Sequence, residues 1–131
     1  MIRRIGDLLL VNGGEISRDE LELMPKVSDY LIDKENVSTV VIYGVYDTKA
    51  YVLIKCLDEG KREALRKKFC SVGDVKEVGN YLLAKFQLGI LNLTKNGRKL
   101  QILEDILLET IQIRDRRYMS RLNEIRRLVV A

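Results

Sequence analysis

Apolar and polar positions alternate along this chain with a period that changes from segment to segment. In "DLLLVNGG" a short apolar run precedes an Asn-Gly-Gly turn, which predicts a strand over residues 7–11. In "SRDELELMPKVSDYLIDKENV" Ser17 stands three residues before Glu20, the spacing of a capping box. Leu23, Val27, Tyr30 and Leu31 then recur on one helical face, and Pro25 fits the first turn of a helix over residues 23–34. "STVVIYGVYDTKAYVLIKCL" is rich in β-branched and aromatic residues on both sides of Asp47 and Thr48, which predicts a hairpin with strands over 39–46 and 49–56. "DEGKREALRKKFC" predicts a helix that turns Leu65 and Phe69 inward and Lys61, Arg62, Arg66, Lys67 and Lys68 outward. "SVGDVKEVGN" reads as the connection to a further strand over 81–86. Leu100, Leu103, Ile106, Leu107 and Ile111 recur at helical spacing, and Tyr118, Leu122, Ile125 and Val129 form a second such stripe.

The order β-α-β-β-α-β-α-α predicts an α/β fold: a mixed sheet of four to five strands flanked by helices, with a C-terminal helical extension. The expected division is an α/β domain over residues 1–112 and a basic C-terminal helix over 113–131. The length of 131 residues suits one domain, with about two-thirds of the unfolded chain's surface buried. The chain is 47% hydrophobic and 32% charged, the balance of a folded globule. No apolar run approaches the roughly 20 residues that span a bilayer, so no membrane partner is expected. The basic start "MIRRIGDLLLVNGG" lacks the long apolar stretch of a signal peptide, and a cytoplasmic location is the expectation.

Composition narrows the chemistry. There is no histidine, which removes imidazole acid–base catalysis, imidazole metal ligation and the common catalytic triads. Cys56 and Cys70 form no CxxC motif and read as buried free thiols. Asp58, Glu59, Asp74 and Glu77 follow no metal-loop spacing and read as solvated acids, so no cofactor is expected. The net charge is +4, and residues 113–127 hold six arginines against Asp115 and Glu124, a surplus equal to the whole. Arginine's planar fork suits phosphate. Arg62 and Arg66 align at i, i+4 on the second helix, and Arg114, Arg117 and Arg121 lie in the tail. Tyr30, Tyr43, Tyr46, Tyr51 and Tyr81 fall in elements expected to be partly buried, which favours core duty over base stacking.

Taken in order, these segments resemble the DHH-associated C-terminal domain of DHH-family phosphoesterases. "DLLLVNGGEISRDELELMPKVSDYLI" resembles that family's entry strand, turn and first helix, and "VSTVVIYGVYDTKAYVLIK" resembles its central hairpin. "KFQLGIL" is similar to the stretch closing its last strand. The family's glycine-rich loop ends Gly-Gly-His and is followed four and five positions later by Ala-Gly. Here the loop reads Val72-Gly73-Asp74 and then Val78-Gly79, so the spacing is kept while a glycine and the histidine are lost. The family's Ser-x-Arg-Ser element on the second hairpin strand, which helps grip a substrate phosphate, reads Leu53-Ile54-Lys55-Cys56, and only Lys55 keeps the charge. The metal-binding DHH domain has no counterpart in these residues. Aspartate at neutral pH accepts hydrogen bonds only, and Asp74 with Glu77 would repel a phosphate.

The resemblance thus implies a degenerate glycine loop (Gly73, Asp74, Gly79) and a non-catalytic binding module. Its expected ligand is nucleic acid or nucleotide phosphate, held by Lys55, Arg62, Arg66, Arg114, Arg117 and Arg121. A homodimer assembled through the C-terminal helix, with no nucleic-acid binding, is the alternative. A third reading pairs the chain with a separate catalytic subunit.

Overall fold

The computed structural model describes residues 2–71, 73–89 and 96–111. Nine elements follow in chain order: β1 (Ile2–Ile5), β2 (Leu8–Glu15), α1 (Arg18–Lys34), β3 (Thr39–Tyr46), β4 (Lys49–Cys56), α2 (Glu59–Cys70), β5 (Asp74–Val78), β6 (Tyr81–Gln87) and α3 (Asn96–Ile111). The six strands form one mixed sheet in the order β1-β2-β3-β4-β6-β5. β2 and β3 are parallel, and the other neighbours are antiparallel.

That strand order decides where the helices go. α1 links the parallel pair β2 and β3, and α2 links β4 to β5 across β6. Both connections step the same way across the sheet, but the β3–β4 hairpin reverses the chain between them. Crossovers between parallel strands are right-handed almost without exception. Opposite strand directions therefore send α1 and α2 to opposite faces. The packing shows this. Met24, Leu31 and Ile32 of α1 bury Leu9, Val40, Ile42 and Leu53 on one face. Leu65 and Phe69 of α2, with Leu103, Leu107 and Leu108 of α3, bury Leu10, Val41, Tyr43, Val52, Ile54 and Leu82 on the other.

The central hairpin has the predicted strands. Its Asp47-Thr48 turn has φ of 46° and 66°, the left-handed pair that a type I′ turn needs to match strand twist. Other segments differ from the sequence reading. Six strands are present among the described residues, not four to five, because β1 and β5 are edge strands of mixed polarity with little local signal. The stretch "SVGDVKEVGN" is not a loop: Asp74–Val78 is β5, and Gly79-Asn80 is the two-residue turn that returns the chain as β6. The Asn-Gly-Gly segment is not a turn either; β2 runs through it with an irregularity between Asn12 and Glu15.

Helix α1 starts five residues before the predicted point. Ser17 accepts from Glu20 N, and Glu20 Oε1 accepts from Ser17 N, which closes the capping box. Pro25 therefore lies inside the helix and removes the bond to the Leu21 carbonyl, at a cost of about 3 kcal/mol. Burial of Met24, Leu31 and Ile32, at roughly 1.5–3 kcal/mol each, offsets it. The buried face also differs. Leu23, Val27 and Tyr30 are 48%, 41% and 60% exposed, while Met24, Ser28, Leu31 and Ile32 face the sheet. Ser28 can be buried because its hydroxyl donates to the Pro25 carbonyl at 2.7 Å. In α3, Leu108 replaces Ile106 in the buried set. Both cysteines are free, but only Cys56 is buried.

A candidate nucleic-acid interface on the open half of the sheet

α1 packs on β3 and β4. Beyond β4 on that face the sheet continues through β6 and β5, and no described helix covers it. Side chains alternate across a strand, so the register assigns the residues of this open half. One cross-strand row is Tyr51, Lys85 and Asp74; the next is Leu53, Leu83 and Lys76; the third is Lys55, Tyr81 and Val78. Lys49 pairs with Gln87, and Tyr46 pairs with Lys49. Lys76, Val78, Leu83 and Lys85 are exposed, and Tyr46, Lys49, Tyr51 and Tyr81 are half-buried. Lysines 49, 55, 76 and 85 thus share one surface with tyrosines 46, 51 and 81. At about 3.3 Å per residue and 4.8 Å per strand, the surface measures roughly 20 by 10 Å.

The corner nearest α1 is tied down. Asp29 of α1 accepts from the Lys55 ammonium and the Tyr81 hydroxyl together. The ammonium also lies 5.3 Å from the Tyr81 ring centroid, within cation–π range. The bond from Lys55, then that from Tyr81, holds the Asp29 carboxyl below its ordinary value of 3.8. Burial pulls the Lys55 ammonium down, but the hydrogen bond and charge of Asp29 outweigh it, and the net direction is up. Donation to Asp29, then burial, raises the Tyr81 hydroxyl. Tyr46 and Tyr51 pack with ring centroids 6.1 Å apart and planes tilted by 54°.

These shifts set a pH dependence. Asp29 titrates lower in the folded state than in the unfolded chain, so its contribution is present above about pH 4 and is lost as pH falls through the depressed folded value. The raised Lys55 value contributes below its unfolded pKa of 10.5 and is lost only above it. Asp29→Asn is therefore expected to flatten the acid limb of the stability curve and to lower stability near neutrality. Its side chain is about half exposed, which limits the loss to about 1 kcal/mol. Denaturant melts between pH 2.5 and 7 check this; an unchanged acid limb would reject the tie.

The residues expected to grip phosphate are dispersed. Lys55 faces α1, whereas Arg62 and Arg66 ride on α2 across the sheet. Arg62 donates to the Cys56 carbonyl at 2.8 Å and to Glu77 at 3.3 Å. Arg66 donates to Glu63 at 3.0 Å and lies 4.0 Å from Glu77. The acid that seemed misplaced in a phosphate loop thus neutralises the basic helix beside it. Asp58 caps α2, accepting from Lys61 N at 2.9 Å. Asp74 is exposed at the start of β5. It lies four rungs along β6 from the level of Lys55, about 13 Å away, so these two do not share a cleft. Arg114, Arg117 and Arg121, with the apolar stripe of the tail, lie outside the described residues.

The two glycines kept in the loop have reasons of their own. A Cβ on Gly73 would stand 2.7 Å from the Lys85 carbonyl oxygen and 2.8 Å from Phe86 Cβ, so only glycine lets the chain leaving α2 pass β6. Gly79 has φ of +61° at the first turn position while Asn80 does not share the positive sign, the pattern of a type II′ turn.

No protein-family model matches the sequence, and no curated protein matches it. Among solved structures, the chain is similar to the C-Ala domain of alanyl-tRNA synthetase from Aquifex aeolicus. The identity is 18%, the TM-score 0.46, and the match covers 82% of this chain and 97% of that one. A likeness this loose assigns no role to any residue.

Sequence reasoning missed the open half of the sheet. Tyr43, at 1% exposure, has the core role expected of the tyrosines, and Tyr46 and Tyr81 pack half-buried against the α1-side core, whereas Tyr30 is exposed. The usable signal was the alternation itself: the odd positions of β4 and β6 read Lys49, Tyr51, Leu53, Lys55 and Tyr81, Leu83, Lys85. Among the described residues no helix is long and apolar enough to cross a membrane. Nor do three or more carboxylate or thiol side chains converge as metal ligands there.

Proposed function

We propose that this protein is a non-catalytic module that binds nucleic acid through its phosphates, on the open half of the sheet. One observation carries the reading. Lys49, Lys76 and Lys85 have no ion-pair partner among the described residues, whereas Lys55, Arg62 and Arg66 are each held by an acid. A cation already in an ion pair must exchange that partner to bind phosphate; a solvated lysine gives up only water and counterions. The lack of any histidine favours binding over catalysis. The reading keeps the resemblance to the DHH-associated domain as the origin of the scaffold and moves the ligand away from the degenerate glycine loop.

The test is a fluorescence-anisotropy titration of the full chain with a labelled 12-nucleotide oligomer. Three phosphate contacts give a log–log salt slope of roughly −2.1 to −2.7, so affinity is expected to weaken about 20- to 40-fold between 50 and 200 mM salt. Absence of binding at 50 mM salt, or binding indifferent to salt, would overturn the proposal.

A further inference from the structure

Resting on that reading, we infer that the nucleic acid taken by this surface is single-stranded, with a base stacked on Tyr51 and phosphates on Lys76 and Lys85. Three observations converge. The first is the interleaving: Tyr51 has Lys85 beside it across the strand, Lys76 stands on the next rung, and beyond it the Lys55 ammonium covers the Tyr81 ring. Aromatic faces alternating with cations suit a strand that offers a base and a phosphate at each step.

The second is pre-organisation. The Tyr81 hydroxyl is held by Asp29, and Tyr51 leans on Tyr46. A ring already fixed loses little freedom when a base stacks on it. Such stacking requires an unpaired base, because a duplex buries the base faces in its own stack.

The third is the charge gradient across the surface. α1 rises beside it as a wall roughly 10 Å high, with Asp29, Asp33 and the ion pair of Glu22 with Arg18 on the side of that helix next to β4 and β6. The exposed lysines Lys85 and Lys76 lie on the outer strands, β6 and β5, with Asp74 opposite Lys85 and no carboxylate on the rung of Lys76. A single strand satisfies both edges, with its backbone on the outer lysines and base amino groups toward the carboxylates, which only accept. A duplex carries phosphates along both borders and would press one set against the acids.

The experiment compares three ligands on the full chain at one salt concentration. They are a 12-nucleotide single strand, the same strand annealed to its complement, and heparin as a polyanion without bases. The single strand is expected to bind at least tenfold tighter than the duplex. Tyr51→Ala is expected to weaken the single strand roughly tenfold and leave heparin unchanged. Tyr51→Phe, which keeps the ring, is expected to bind as the parent does. Tyr81→Phe loses the bond to Asp29 but keeps the ring, and so tests whether that hydroxyl tie matters to binding. Its single-strand affinity is expected to stay within about threefold of the parent. Equal affinity for all three ligands with no effect of Tyr51→Ala would overturn the inference and leave phosphate binding standing. Loss of salt-dependent binding to every ligand would remove both.

Discussion

Exchanging Lys49, Lys76 and Lys85 for glutamate together is expected to abolish nucleic-acid binding, lowering affinity by more than about 100-fold at 100 mM salt. Each change removes an attraction and installs a repulsion, and like charges brought together in an interface cost several kcal/mol. The fold should be unaffected. Lys76 and Lys85 are exposed, Lys49 is half-buried at a strand end, and none has an ion pair among the described residues to lose. A charged edge strand also stays protected from strand addition when lysine becomes glutamate. Circular dichroism and thermal melts verify the fold, and anisotropy reads the affinity.

The informative control is Arg62→Ala. Arg62 donates to the Cys56 carbonyl and pairs with Glu77, so its loss should cost about 1–3 kcal/mol of stability while binding changes no more than about twofold. A triple-glutamate variant that binds like the parent, with Arg62→Ala binding lost, would place the ligand on the α2 face instead.

Gly73→Val is expected to lower stability by about 3 kcal/mol, a large share of the roughly 5–15 kcal/mol typical of a domain. The contacts that a Cβ would make, at 2.7 and 2.8 Å, are to the Lys85 carbonyl oxygen and to Phe86 Cβ. Neither is the free end of a flexible side chain, so relief requires that β6 shift against β4. Gly79→Ala supplies the contrast. Its Cβ would meet nothing within 4 Å, and its cost is the φ of +61° alone, about 1–2 kcal/mol. Urea melts of both variants separate crowding from backbone strain. A Gly73→Val protein with the parent's midpoint would show that the approach of β6 is looser than these distances. In the sequence both glycines looked like remnants of one phosphate-gripping loop; in the fold one is a packing contact and the other a hairpin turn.

Much of the architecture was legible before any coordinates. β3, β4, α2 and β6 stand within a few residues of their predicted bounds, and α3 carries most of the predicted apolar stripe, since each has a strong local period. β1 and β5 were not legible. Their four and five residues mix charge with apolar side chains, and they become strands because β2 and β6 offer unpaired backbone groups. The buried face of α1 was misread by one residue, a rotation of about 100°, because methionine and serine at 24 and 28 weigh less in an apolar pattern than leucine and valine at 23 and 27.

The candidate interface belongs to the tertiary structure altogether. Its lysines and tyrosines come from β3, β4, β5 and β6, and what unites them is register, together with the footprint of a helix that stops at β4. Periodicity is a property of neighbours in the chain and can be read there. Which strands a helix leaves bare depends on strand order and crossover hand, set by contacts between residues far apart in sequence.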